Sequence, residues 1–169
     1  MNQIAFLQIT NPFKDKVFRL AKRLLISKEE AEDATQEILG KLWSKNESLF
    51  KLGSVEAFAM TMTKNYCLDQ LKSKKAKNVK MNHDNFTDKS PRLDKIVEDG
   101  DSLNWVEKII NQLPEQQKIV VQMRDVEQYE FAEIAQILQM NETAIRVALS
   151  RARKTIRENM AKVHGYGIE

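Results

Sequence analysis

The stretch YEFAEIAQILQMNETAIRVALSRARKTIRE, residues 129–158, contains two helical patterns separated by a short break at residues 139–141. Apolar residues recur in both patterns at the spacing of one helix face. They are Phe131, Ile134, Ala135 and Leu138 in the first, and Ile145, Leu149, Ala152 and Ile156 in the second. Asn141 is a suitable N-cap for the second helix. A short helix, a tight break and a longer helix are typical of a helix-turn-helix motif.

The second helix of this motif is basic on its exposed side. With the apolar face buried, the outward residues are Thr143, Arg146, Val147, Ser150, Arg151, Lys154 and Arg157, with Arg153 beside them. The second helix of such a motif enters the DNA major groove, where Arg146 is placed to bond a guanine edge. Arg151, Arg153, Lys154 and Arg157 are better placed to neutralise phosphates. An ordinary solvated basic helix stays open as the alternative.

The composition of the 169-residue chain favours helices and argues against several classes of protein. Five glycines and three prolines supply little turn material for many short strands. The single cysteine, Cys67, excludes an internal disulfide and a cysteine zinc cage. No apolar run approaches the ~20 residues of a membrane helix, and residues 1–11 lack the marks of a signal peptide. We find no Gly-rich phosphate loop and no nucleophile–base set, and we therefore expect neither a cofactor nor an enzymatic activity.

The N-terminal half contains three further helical patterns. The first covers residues 13–26. The second begins after Ser27, where Glu30 completes a capping-box pattern, and its buried stripe is Ala31, Ala34, Ile38 and Leu42. Residues 45–54 are polar and contain Gly53, which predicts a loop. Ser54 is the expected cap of a third helix that runs to about residue 75, with Val55, Ala59, Met62 and Tyr66 facing one way.

Charge divides the chain into three parts. Residues 1–80 carry a net charge of +6, residues 81–104 carry −3, and residues 105–169 carry 0, which gives the formal total of +3. Residues 76–101 are polar, contain Pro91 and Gly100 and show no sustained periodicity. Because so long a structureless stretch is unusual inside one compact domain, we expect a flexible linker at residues 77–101 between domains at 1–76 and 102–169. The fold class is therefore all-α, with two small helical domains.

A second basic element lies at the end of the third helix. Residues 64–80 hold six lysines against one acid, Asp69, with Tyr66 and Phe58 nearby. Lysines bind phosphate, and aromatic rings can stack on unpaired bases. The plainer interpretation is that the rings are core residues and that the lysines complement the dipole of a helix end.

The order of these motifs resembles bacterial RNA polymerase sigma factors of the extracytoplasmic-function (ECF) class, a sigma-70-type family. EEAEDATQEILGKLW at residues 29–43 is similar to the polymerase-binding helix of region two. VEAFAMTMTKNYCLDQLKSKKAK at residues 55–77 is similar to the promoter-melting helix that follows. Residues 113–158, from LPEQQ to KTIRE, resemble region four. The resemblance spans about residues 13–160.

The resemblance implies a set of functional surfaces and partners. Core polymerase would bind the solvent face of the second helix, at Asp33, Gln36, Glu37 and Gly40. The melted minus-ten element would meet Lys45, Asn46, Thr61, Lys64, Asn65, Lys72, Lys74 and Lys75. The minus-thirty-five duplex would meet the basic face of the recognition helix, from Thr143 to Arg157. A cytoplasmic alternative sigma factor is also commonly restrained by an anti-sigma protein, and neither a lipid nor a small-molecule substrate is implied.

The chain departs from the family pattern at several of these positions. Thr61 replaces an often basic residue, Gln139 stands where a turn glycine is common, and Ala148 where a basic residue is common. Val147, usually small and polar in the family, is placed to touch a thymine methyl. Two other functions remain open: a helix-turn-helix regulator that does not bind polymerase, and a helical adaptor that binds only proteins.

Overall fold

The computed structural model describes residues 2–81 and 102–165, and these residues form seven α-helices and no strand. The helices are α1 Gln3–Leu25, α2 Lys28–Ser44, α3 Val55–Met81, α4 Ser102–Asn111, α5 Glu115–Val121, α6 Phe131–Leu138 and α7 Glu142–Gly165. A 3-10 turn at Leu49–Lys51 interrupts the loop between α2 and α3, and a π-helical turn at Gln122–Val126 follows α5. The all-α prediction is confirmed. The predicted linker lies mostly outside the described residues, although α3 extends to Met81.

The first helix is ten residues longer at its start than the pattern predicted. It begins at Gln3, after Asn2, whose side chain accepts a hydrogen bond from the Ala5 amide at 2.8 Å. Pro12 lies inside the helix. Phe6 and Thr10 are buried before it, and the Thr10 hydroxyl donates to the Phe6 carbonyl. Local sequence signals underestimated this helix because tertiary packing holds its first turns despite the proline.

The predicted caps of α2 and α3 are present. The Ser27 hydroxyl accepts from the Glu30 amide at 3.3 Å, and the Ser54 hydroxyl accepts from the Ala57 amide at 3.1 Å. The Glu30 carboxylate, however, faces Lys74 of α3 and not the backbone of Ser27. Half of the predicted capping box is therefore replaced by a contact between helices.

The N-terminal core forms where α1 packs against α2 and α3. The predicted stripe of α2 is buried completely at Ala31, Ala34, Ile38 and Leu42. In α3 the buried face is rotated from the predicted one. Ala59, Met60, Thr63 and Cys67 are fully buried, whereas Met62 and Tyr66 are only partly buried. Thr63 tolerates burial because its hydroxyl donates to the Ala59 carbonyl at 2.7 Å.

The C-terminal helices form the predicted helix-turn-helix. The inward residues Ile134, Ile145, Leu149 and Ala152 are buried, and the Asn141 side chain accepts from the Ala144 amide at 2.7 Å. Gln139 ends α6 in the left-handed conformation, with φ 52° and ψ 47°. The helix-turn-helix prediction is therefore confirmed, with a strained residue at the position where glycine is common.

The two halves of the molecule contact each other. Helix α1 packs against α5 and the π-helical turn, and α3 packs against α6. One continuous cluster of buried apolar residues runs through both halves. Each half has its own helices, and the two halves share an interface.

Candidate nucleic-acid interface

Helix α7 presents the basic face that the sequence predicted. All eight predicted duplex-contacting residues are exposed: Thr143, Arg146, Val147, Ser150, Arg151, Arg153, Lys154 and Arg157. Val147 is 42% exposed and therefore presents an apolar surface beside the arginines. Ala148 is buried, so the small residue at this position serves packing within the motif.

Two arginines of this face are engaged by neighbouring elements of the same half. Arg153 forms a two-point ion pair with Asp125, through Nη2 at 2.5 Å and Nε at 3.2 Å. This pairing raises the pKa of the Arg153 guanidinium. Arg146 lies over the ring of Phe131, with 4.6 Å from its guanidinium carbon to the ring centroid. The charge of Arg153 is therefore neutralised by Asp125, whereas no described acidic residue neutralises the charge of Arg146.

The lysines of α3 do not form a single patch. Lys72 and Lys75 are exposed, and Lys64 is partly buried on the same side of the helix. Lys74 points toward α2, where it forms an ion pair with Glu30. Lys64, Lys72 and Lys75 therefore form a stripe of positive charge on α3, whereas Lys74 stabilises the contact of α3 with α2.

The predicted base-contacting residues lie in two places. Lys45 and Asn46 line a shallow depression in the loop after α2, together with Ser44, Glu47 and Ser48. The Lys45 ammonium lies 5.5 Å from the centroid of the Phe58 ring. Asn65 is exposed on α3 and does not line that depression.

The hydroxyl of Thr61 contacts the C-terminal half of the molecule. Its hydroxyl lies 2.9 Å from the Ala57 carbonyl oxygen and 3.2 Å from the Ile137 carbonyl oxygen of α6. A hydroxyl has one proton, so it donates to one of these acceptors at a time. The packed arrangement therefore covers one of the residues predicted to contact melted DNA.

An acidic face lies on α2. Asp33, Gln36, Glu37 and Gly40 are all exposed, and they lie on the same side of the helix. A Cβ built at Gly40 meets no atom within 4 Å, so the backbone is bare at the end of this face. The pKa of the neighbouring Tyr66 is raised by burial and by the negative charges of Glu37 and Asp33. The face is therefore an exposed acidic surface, and no side chain projects from it at Gly40.

A polar interface between the halves was not predicted from the sequence. Arg19 of α1 binds Glu127 through two hydrogen bonds of 2.5 and 2.8 Å, and the Glu127 side chain is only 1% exposed. This bond is the main reason that the pKa of Arg19 is raised. Arg23 bonds Gln122 at 2.9 Å and both Glu107 and Asn111 of α4. A cavity of about 280 Å³ lies beside these groups.

The described residues show no metal-binding or membrane-spanning feature. Within residues 2–81 and 102–165, no three histidine, cysteine or acidic side chains come together as metal ligands. None of the helices in those ranges combines the length and hydropathy that a bilayer crossing requires. The surfaces that stand out are the two basic ones and the acidic face of α2.

Comparison with known proteins agrees with this combination of surfaces. The sequence model of the Sigma-70 region 2 family matches residues 10–77, and that of the Sigma-70, region 4 family matches residues 103–156. The chain is 22% identical to the ECF RNA polymerase sigma factor SigW of Bacillus subtilis, over 94% of this chain and 90% of SigW. It is 23% identical to the ECF RNA polymerase sigma factor SigE of Mycolicibacterium smegmatis, over 92% of this chain and 61% of SigE.

A solved structure has a similar fold. The sigma factor RpoE, crystallised with the anti-sigma factor NepR from Bartonella quintana, superposes with a TM-score of 0.74 at 24% identity. The match covers 92% of this chain and 96% of that one. The fold and its surfaces are those of a helical DNA-binding protein with a separate acidic face. The chain belongs to the sigma-70 family, with region two in its N-terminal half and region four in its C-terminal half.

Proposed function

We propose that this protein is an alternative sigma factor of the ECF class, which binds core RNA polymerase in the cytoplasm and directs it to promoters. The observation that carries the proposal is the presence, in one chain, of both sigma-70 regions, with the acidic side of α2 and the basic side of α7 exposed. The protein performs no covalent chemistry in this role. Its binding energy selects the promoter and stabilises the melted strand.

The acidic face of α2 is the proposed docking surface for the polymerase. Asp33 and Glu37 provide charge that complements a basic partner, which governs specificity and association rate more than raw affinity. Gly40 allows a partner element to approach the bare backbone. This face is separate from the basic residues of α3 and α7, so polymerase and DNA can be bound together.

The two basic surfaces take different forms of promoter DNA in this proposal. Helix α7 reads the minus-thirty-five element as duplex, where Arg146 contacts bases and Arg151 and Arg157 contact phosphates. Lys64, Lys72 and Lys75 hold the phosphates of the melted minus-ten strand, and Asn65 contacts a base edge. Lys45 and Asn46 border the depression that would receive an extruded base.

The packed arrangement of the halves must open for both elements to be read together. Elements named for positions ten and thirty-five lie about 25 base pairs apart, which is about 85 Å of duplex at ~3.4 Å per base pair. A compact 169-residue globule is only about 40 Å across. Contacts such as those of Arg19 with Glu127 and of Thr61 with Ile137 therefore belong to a state that precedes promoter binding.

An anti-sigma protein is the further partner in this proposal. RpoE, which shares this fold, was crystallised with the anti-sigma factor NepR. A protein that binds the packed form of this chain would keep it from opening.

Binding to core polymerase tests the proposal against its two alternatives. We expect the wild-type chain to bind core polymerase, and the Asp33→Ala, Glu37→Ala double variant to bind about tenfold or more weakly because two complementary charges are lost. Glu32→Ala is the matched control, since Glu32 is an exposed acid about 100° around the same helix. A regulator that acts without polymerase would bind DNA and not the core enzyme. An adaptor would show no salt-dependent DNA binding.

A further inference from the structure

A single aromatic ring joins two arginines at the edge of the helix-turn-helix. The guanidinium carbon of Arg124, from the π-helical turn, lies 4.4 Å from the centroid of the Phe131 ring, and that of Arg146 lies 4.6 Å from it. The two guanidinium carbons are therefore no more than about 9 Å apart. They come from separate elements, and both lie against the ring of Phe131, the first residue of α6.

We propose that Phe131 is a positioning residue for duplex recognition, which holds Arg124 and Arg146 ready for the minus-thirty-five DNA. This inference rests on the proposed function. It assigns to Phe131 a role beyond the core packing that its helical spacing predicted.

The two arginines are held to different degrees. Arg124 is fixed at a second point, because its Nη1 donates to the Tyr129 carbonyl oxygen at 2.9 Å and lies 3.8 Å from a Glu130 carboxylate oxygen. Arg146 is exposed, and among the described residues its guanidinium has no hydrogen-bond or ion-pair partner. The Phe131 ring is therefore what orients Arg146 before DNA is bound.

Stacking on a ring suits an arginine that has to bind an anion or a base. The ring face attracts the cation without using its hydrogen-bond donors, so the N–H groups of the planar guanidinium stay available for a guanine edge or a phosphate. Ordering a long side chain on binding costs free energy, and orientation in the free protein reduces that cost. The positive charge of Arg146, which no described carboxylate neutralises, also favours an anion beside it.

The exposure of Phe131 agrees with this role. The ring is only partly buried, whereas Ile134 and Ile137 of the same helix are completely buried. The inner part of the ring packs against the core cluster. A leucine at this position would retain that packing and remove the surface on which the guanidinium groups lie.

Promoter binding by the full chain assembled with core polymerase tests the inference. We expect Phe131→Leu to weaken binding to minus-thirty-five duplex about three- to tenfold, and Phe131→Tyr to bind as wild type because it keeps the ring. The slope of affinity against salt should be unchanged, since every cation remains. In a chain that carries Arg124→Ala and Arg146→Ala, Phe131→Leu should have no further effect.

A purely structural role predicts a different result. Phe131→Leu would then weaken binding equally with and without the two arginines, and that outcome would overturn the inference. So would wild-type binding by Phe131→Leu.

Arginine side-chain NMR of the chain without polymerase provides a second readout. In the Phe131→Leu variant the Nε–Hε signal of Arg146 should shift. An unchanged signal would also overturn the inference. If the wild-type chain failed to direct polymerase to any promoter, the proposed function would be contradicted, even if the NMR shift were seen.

Discussion

Three residues of the described chain have positive φ without being glycine, and each ends or follows a helical segment. They are Ile26 at 67°, Gln128 at 60° and Gln139 at 52°. The left-handed conformation costs an ordinary residue about 1–2 kcal/mol. Gln139 lies in the turn of the helix-turn-helix, where the tight connection between α6 and α7 requires this backbone shape.

Glycine at position 139 is therefore expected to stabilise the protein. Gln139→Gly should raise the free energy of unfolding by about 1 kcal/mol, because glycine adopts positive φ without steric cost. The measurement is chemical denaturation. Gln136→Gly is the control: it replaces the same residue type within α6, at an exposed position, and should lower the stability by about 1 kcal/mol. A loss of stability in both variants would show that Gln139 is not strained.

At the scale of the element, α7 separates two kinds of arginine. Arg151 is exposed without a described ion pair, whereas Arg153 is bound to Asp125. We expect Arg151→Ala to reduce the salt slope of duplex binding by about one, as the loss of a phosphate contact does, with little change in stability. Arg153→Ala should reduce that slope less and lower the stability more. Equal salt slopes for the two variants would contradict this division.

A second prediction concerns Gly40, at the end of the acidic face on α2. Gly40 lies inside a helix with open space around it, so Gly40→Gln should raise the free energy of unfolding by about 0.5–1 kcal/mol. If a polymerase element packs against the bare backbone, the same change should weaken core binding about tenfold. Titration of labelled core polymerase measures this affinity. A more stable variant with undiminished core binding would show that the partner does not contact Gly40.

Elements whose sequence signals lie close together along the chain could be predicted. Features held by contacts between distant residues could not. The helix-turn-helix and the stripe of α2 were predicted because apolar spacing and caps lie within a few residues of each other. The start of α1 was missed because its first turns are held by the tertiary packing of Phe6, which apolar spacing along the sequence does not reveal. The pairing of Arg153 with Asp125, and the ring that joins Arg124 to Arg146, depend on how the π-helical turn faces α7. Spacing along one helix contains no such information.

At the scale of the whole molecule, the interface between the halves was beyond prediction from the sequence. Arg19 and Glu127 are 108 positions apart, and Thr61 and Ile137 are 76 apart. The long polar stretch without periodicity at residues 76–101 predicted two separate domains and gave no indication that they contact. In the structure, Glu127 is a buried carboxylate that depends on Arg19 and Gln122 for hydrogen bonds.

The interface should weaken when this carboxylate loses its partner. We expect Arg19→Gln to increase the separation of the halves, because an unpaired buried charge is costly. Fluorescent labels on cysteines introduced at Glu32 and Gln136, both exposed, would report the distance by energy transfer. Cys67 should escape labelling, since it is buried and its pKa is raised to about 12. Lys14→Gln, an exposed change on the same helix, should leave the distance unaltered. An unchanged distance in Arg19→Gln would contradict a controlling role for this pair.

Transcription from purified components tests whether this chain directs core RNA polymerase to promoters. The chain is added to core RNA polymerase with a library of promoter fragments, and transcripts that depend on the chain are counted. We expect initiation from a defined subset of fragments that share two elements about 25 base pairs apart. Initiation should be lost when Asp33 and Glu37 are replaced by alanine. If the chain binds promoter-length DNA but core polymerase starts no transcript in its presence, the chain is not a sigma factor.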